Sequence, residues 1–99
     1  MSYRVKIGIN INIWNDKIDE WINGLIGTQK FLNKAKNGEI LSYELRKNLW
    51  YEFERIVNEF NEKFLKILNQ VDYNKIEKII RLMKIVNDDL IKYAKINLR

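Results

Sequence analysis

The chain has 99 residues, of which 46% are apolar; 18 Lys and Arg against 13 Asp and Glu leave a net charge of +5, and histidine, cysteine and proline are absent. That composition excludes disorder, disulfides, thiol chemistry and cysteine-ligated metal sites. It also removes the commonest general base and metal ligand, so no enzyme, cofactor or small-molecule ligand is expected.

The length predicts one domain over residues 1–99, near the size at which oligomerisation adds useful stability. The start is basic, but asparagines interrupt the apolar residues before a signal-peptide core forms. No run approaches the roughly 18 apolar residues of a membrane span, so the chain reads as a soluble intracellular protein. Isoleucine, lysine and asparagine are in excess, most simply the mark of an AT-rich genome.

The first element is the stretch VKIGININIW, residues 5–14. Val5, Ile7, Ile9, Ile11 and Ile13 alternate with Arg4, Lys6, Gly8, Asn10 and Asn12, which predicts a β-strand over about 4–13 with one buried face. A lone strand leaves backbone amide and carbonyl groups unpaired, so it needs a partner. Three are open: the same stretch of a second molecule across a two-fold axis, residues 39–43 (EILSY) as a parallel neighbour, or the sheet edge of another protein. The first asks for no second strand-like sequence in the chain. It makes a homodimer the expectation, with those five residues as the pairing surface.

A helix is predicted over 16–36, capped by Asn15 or Asp16 and carrying Ile18, Trp21, Ile22, Leu25 and Leu32 at helical spacing. Its stop is a Lys-rich turn followed by Asn37 and Gly38, the latter as a left-handed cap. Gly24 and Gly27 either break this helix or let another backbone approach, and the close approach is the favoured reading.

Residues 43–70 carry the strongest periodic signal. Ser42 is the expected N-cap, and Leu45, Leu49, Phe53, Ile56, Phe60, Phe64, Ile67 and Val71 step by three or four. Glu59 with Lys63, and Glu62 with Lys66, are expected as solvent-facing i, i+4 pairs. Asp72 caps a third helix over about 73–98, with Ile76, Ile79, Ile80, Met83, Val86, Leu90, Ala94 and Leu98 as its apolar arc. The fold class expected is therefore α+β, mostly helical, with the last two helices as a long antiparallel hairpin.

Three sets of residues invite a functional reading. Lys78, Arg81, Lys92, Lys95 and Arg99 on the third helix are the candidate contacts to nucleic acid, the alternative partner, although Glu77 and Asp88 fall in the same arc. Neighbouring carboxylates such as Asp88 and Asp89 diverge by about 100° and present no metal-binding pair. Asn87 interrupts the apolar arc where a buried amide could fix register, while Ile85, Ile96, Tyr51 and Leu65 lie outside the apolar stripes. Trp14, Trp21 and Trp50 are expected as core anchors.

In whole-chain character the sequence resembles the short uncharacterised proteins of filamentous double-stranded-DNA viruses that infect hyperthermophilic archaea. The resemblance implies a thermostable viral protein in the host cytoplasm and carries over no functional residue. Asn23-Gly24 and Asn37-Gly38 depart from it, since thermophile proteins avoid labile asparagine. AT-rich bacteria or their phages supply the same composition. The function expected is a non-enzymatic interaction or structural protein.

Overall fold

The computed structural model describes residues 2–96, with side chains from Ile13 onward, as three helices: α1 (Ser2–Lys36), α2 (Tyr43–Gln70) and α3 (Tyr73–Tyr93). The fold is all-α, which corrects the α+β expectation. Residues 4–13 are the beginning of α1, so Asn15 and Asp16 lie inside that helix and do not cap it. Residues 39–42 are an irregular connection and offer no strand edge.

Backbone accounting explains the correction. A helix pairs its own amide and carbonyl groups four residues apart, whereas a strand at 4–13 needs a neighbour that none of the described residues provides. The spacing carries the same message when read over a longer window. Ile7, Ile11, Trp14, Ile18, Trp21, Leu25, Thr28 and Leu32 are separated by four and three residues in turn, one continuous helical seam. Strict alternation over 5–13 contains the i, i+4 pair Ile7 and Ile11, so a short window cannot separate the two periods. Of the five residues expected to pair as a strand, Val5, Ile7, Ile9 and Ile11 have side chains outside the described set, and Ile13 is 49% exposed.

The caps of the later elements follow the sequence closely. Gly38 has a φ of +95°, and the amides of Gly38 and Glu39 donate to the carbonyls of Ala35 and Lys34, closing a Schellman motif. Ser42 accepts from the Leu45 amide at 3.1 Å and Asp72 from the Asn74 amide at 2.9 Å, which starts α2 and α3 where expected. The third helix ends at Tyr93, short of the expected 98; Leu98 and Arg99 fall outside the described residues.

Cross-helix contacts set the topology. Trp21 bonds Glu59 while Gly24, further along α1, meets Ile56 and Glu52, earlier in α2, so α1 runs antiparallel to α2. Asp19 pairs with Lys75 and Lys36 with Asp89, so α1 runs parallel to α3. The result is an up-down-up bundle.

Its core is built from the seam of α1 (Ile18, Trp21, Leu25, Leu32), the α2 stripe (Leu49, Phe53, Ile56, Phe60, Ile67) and the α3 arc (Ile76, Ile79, Val86, Leu90). Trp21 meets Phe60 edge-on with centroids 6.2 Å apart, a pairing worth roughly 0.5–1.5 kcal/mol beyond burial. Leu41 is buried and pins the α1–α2 connection. Ile80, expected in the core, is 47% exposed because α1 and α2 cover the neighbouring positions of α3.

The two α1 glycines differ. A Cβ on Gly24 would stand 2.8 Å from Ile56 Cδ1 and 3.2 Å from Glu52 Oε2, so Gly24 lets α1 approach α2. Nothing lies within 4 Å of a Cβ on Gly27. Gly27→Ala should therefore collect the helix-propensity gain of about 1 kcal/mol, raising Tm by roughly 4–8 °C. Gly24→Ala should melt at or below wild type, because the fully buried Ile56 must move; thermal unfolding followed by circular dichroism checks both.

Candidate interaction surface

Two packed helices form two grooves, one on each side of their contact. On one side of the α2–α3 hairpin α1 fills the groove. The other is open.

At its wide end the open groove encloses about 510 Å³, lined by Tyr43, Trp50 and Tyr51 from α2 and by Ile91 and Ile96 from the α3 end, with Lys47, Glu54 and Lys95 at the rim. The walls are held by two contacts that also finish α3. Trp50 donates its indole N–H to the Ala94 carbonyl, and Arg46 donates to the Lys95 carbonyl. Carbonyls at a helix end have no partner within the helix, so these bonds from α2 satisfy groups that would otherwise need water. Arg46 also lies over the Tyr43 ring and Lys47 over the Tyr51 ring, at 5.7 and 5.9 Å.

The apolar character recurs at both ends of the hairpin. Eleven large apolar residues are exposed among the described ones, and seven of them belong to this face. On α2, Tyr43, Tyr51, Leu65 and Leu68 fall within an arc of about 100°. On α3, Tyr73, Ile80 and Ile91 fall within about 20°, and Ile91 fixes that line in the groove. Between the two apolar ends the α2 arc carries Glu54, Asn58 and Asn61, and Lys84 and Asn87 flank the α3 line on either side.

The sequence had marked Tyr51 and Leu65 as lying outside the α2 stripe, and they are 60% and 74% exposed. Ile80 and Ile91 were not recognised as part of a second apolar line. The available signal was the spacing of Tyr73, Ile80 and Ile91 at seven and eleven residues, a heptad line displaced from the core arc. Asn87 is half-buried beside that line and is not enclosed in the core.

The basic residues singled out on α3 are in part engaged by their neighbours. Arg81 is paired to Glu77 at 3.1 Å, and Lys78 shares a shallow groove with both and with Ile85. Lys92 lies over the Tyr93 ring, and Lys95 borders the aromatic groove around the helix. Arg99 is outside the described residues.

Carboxylates serve the structure. Glu59 was expected as a surface partner of Lys63; it instead accepts from Trp21 Nε1 at 2.9 Å and from Arg55 Nη1 at 3.1 Å, while Arg55 Nε reaches Glu52 at 2.9 Å. The Trp21 bond, opposed in part by desolvation and assisted by the charge and hydrogen bond of Arg55, holds the Glu59 carboxyl below its ordinary value. Glu52 and Glu59 in turn raise Arg55. Among the described residues no three metal-ligating side chains converge, and no helix is long and apolar enough to cross a membrane.

Compared with protein-family models, curated proteins and solved structures, the chain matches none.

The Glu59 contact has a pH signature. A carboxyl whose folded pKa is depressed stabilises the fold above its unfolded pKa, and that contribution disappears as pH falls through the folded value. The stability difference between wild type and Glu59→Gln should therefore be present at pH 7 and vanish toward pH 3. In Trp21→Phe the Glu59 carboxyl should titrate closer to an ordinary glutamate, which carboxyl NMR reads directly.

Proposed function

We propose that this is a non-enzymatic interaction protein that works by burying the open face of its α2–α3 hairpin against a protein partner. The observation that carries the reading is the apolar residues along that face, which α1, packed on the opposite side of the hairpin, leaves uncovered. Seven large side chains, each 44–74% exposed, leave on the order of 100 Å² apiece and so present roughly 700 Å², divided between the two ends of the face. Each end alone compares with the largest contiguous apolar patch of a typical monomer, about 300–600 Å², a patch that often carries function. Tyrosine and tryptophan beside cations are the side chains that protein interfaces favour. The non-catalytic part of the proposal draws on a sequence without histidine or cysteine and on acidic side chains that brace helices. The whole-chain resemblance favours a small virus-encoded component.

Nucleic acid is the weaker partner. Acidic side chains interrupt the α3 cations, and one of them neutralises Arg81 directly.

A photo-crosslinking residue at position 51 or 91, used in cells that naturally carry the chain, tests the reading. Discrete protein adducts at 51 and 91, absent when the same group replaces Lys30 on the far surface of α1, are the expected result. Adducts independent of position, or adducts consisting of nucleic acid, would overturn it.

A further inference from the structure

We infer that the partner seated on the open α2–α3 face is a second copy of this chain, related by a two-fold axis perpendicular to the helices, so that the aromatic end of one face covers the aliphatic end of the other. The inference rests on the docking reading above and adds the identity of the occupant.

Area is the first argument. Roughly 700 Å² of large apolar side chain per chain approaches the roughly 800 Å² that each partner contributes to a standard interface. A second copy would supply an equal and matching area. An isologous contact must be self-complementary, and this face is divided in the way that condition requires. Tyr43, Trp50, Tyr51 and Ile91 occupy one end, and Leu65, Leu68, Tyr73 and Ile80 occupy the other, with the polar residues between them.

Charge decides between the two ways of stacking the face on itself. An axis parallel to the helices would lay the basic end of one copy on the basic end of the other. Lys47 would then stand by Lys95 of the second copy, crowding four ammonium groups against two Glu54 carboxylates. An axis perpendicular to the helices separates those ends. Tyr43 then meets Leu68 of the second copy, Lys47 meets Leu65, and Ile80 meets Ile91. Near the axis Lys84 faces Asn87 and Glu54 faces Asn58, so no like charges are opposed. Amides suit such a position, because each both donates and accepts and tolerates either neighbour.

The absence of cysteine permits a clean test. Ile80→Cys and Ile91→Cys, each exposed and each checked for retained helicity, are oxidised separately and as an equal mixture. Positions 80 and 91 of one helix are about 16 Å apart, beyond the reach of a disulfide, so a bond between them must join two chains. The expected result is a wild-type mass of twice 12.0 kDa in light scattering, and a disulfide-linked pair only in the mixture. Lys30→Cys mixed with either variant should give none. Ile80→Lys with Ile91→Lys should leave a folded monomer.

A wild-type monomer at high micromolar concentration would overturn the second copy as occupant. Self-linking of each single variant would overturn the perpendicular axis, which keeps like positions of the two copies apart. If the chain is monomeric while position-specific adducts form at 51 and 91 on a different protein, this inference fails and the docking reading stands; if those adducts are also absent, both fail.

Discussion

The register of the bundle depends on Trp21. Its ring is almost wholly buried and meets Phe60 edge-on, while its indole N–H must find an acceptor at the margin of the core, and it finds Glu59. One turn later Gly24 brings α1 against Ile56, so the same stretch of α1 is fixed by shape as well as by a directed bond. Arg55 then ties Glu59 to Glu52, which lies across from Gly24. Sliding α1 by one turn would bury an unpaired indole N–H and drive a side chain into Ile56. That makes one register better than its neighbours, where an apolar seam alone would accept several.

Fixing α1 on one side of the hairpin has a consequence on the other. Three helices enclose a single core, and the second groove of the α2–α3 pair has no fourth helix to fill it. Many bundles make such a face polar. Here it carries three tyrosines and four aliphatic residues with their exposed parts turned to solvent. The contacts that finish α3 also stiffen this face, because Trp50 and Arg46 hold the end of α3 against the start of α2. A wall anchored in this way loses little side-chain freedom when it is covered, which lowers the cost of association.

The net positive charge has a more local meaning than a search for nucleic acid would give it. Several cations are committed: Arg55 to two glutamates, Arg81 to Glu77, Lys36 to Asp89 and Lys75 to Asp19. The last two pairs join α1 to α3 and support the parallel arrangement, each with the modest energy of a partly exposed ion pair. Lys47 and Lys95 stand at the aromatic groove, where their charge would favour one orientation of the proposed partner over another.

Much of the architecture was legible in the residues. The α2 stripe from Leu45 to Val71, the caps Ser42, Gly38 and Asp72, and the antiparallel α2–α3 hairpin all follow from local spacing and capping chemistry, which act within a few residues. Residues 4–13 did not yield to that logic. Their alternation satisfies a strand, while the continuation of the seam through Trp14, Ile18 and Trp21 satisfies a helix, and the choice turns on where the backbone hydrogen bonds can be met. Only the assembled chain answers that, since its described residues provide no strand to pair with. Glu59 is a second case: its one-turn partner Lys63 was visible in sequence, but its bonding partner lies 38 residues away. The open α2–α3 face is a third. Sequence by itself determined that Tyr51, Leu65 and Ile91 are apolar and where they fall on their helices. Which of those positions lie beneath α1, and which remain in contact with water, was decided by the tertiary structure alone, because burial depends on the side of the hairpin that the first helix occupies.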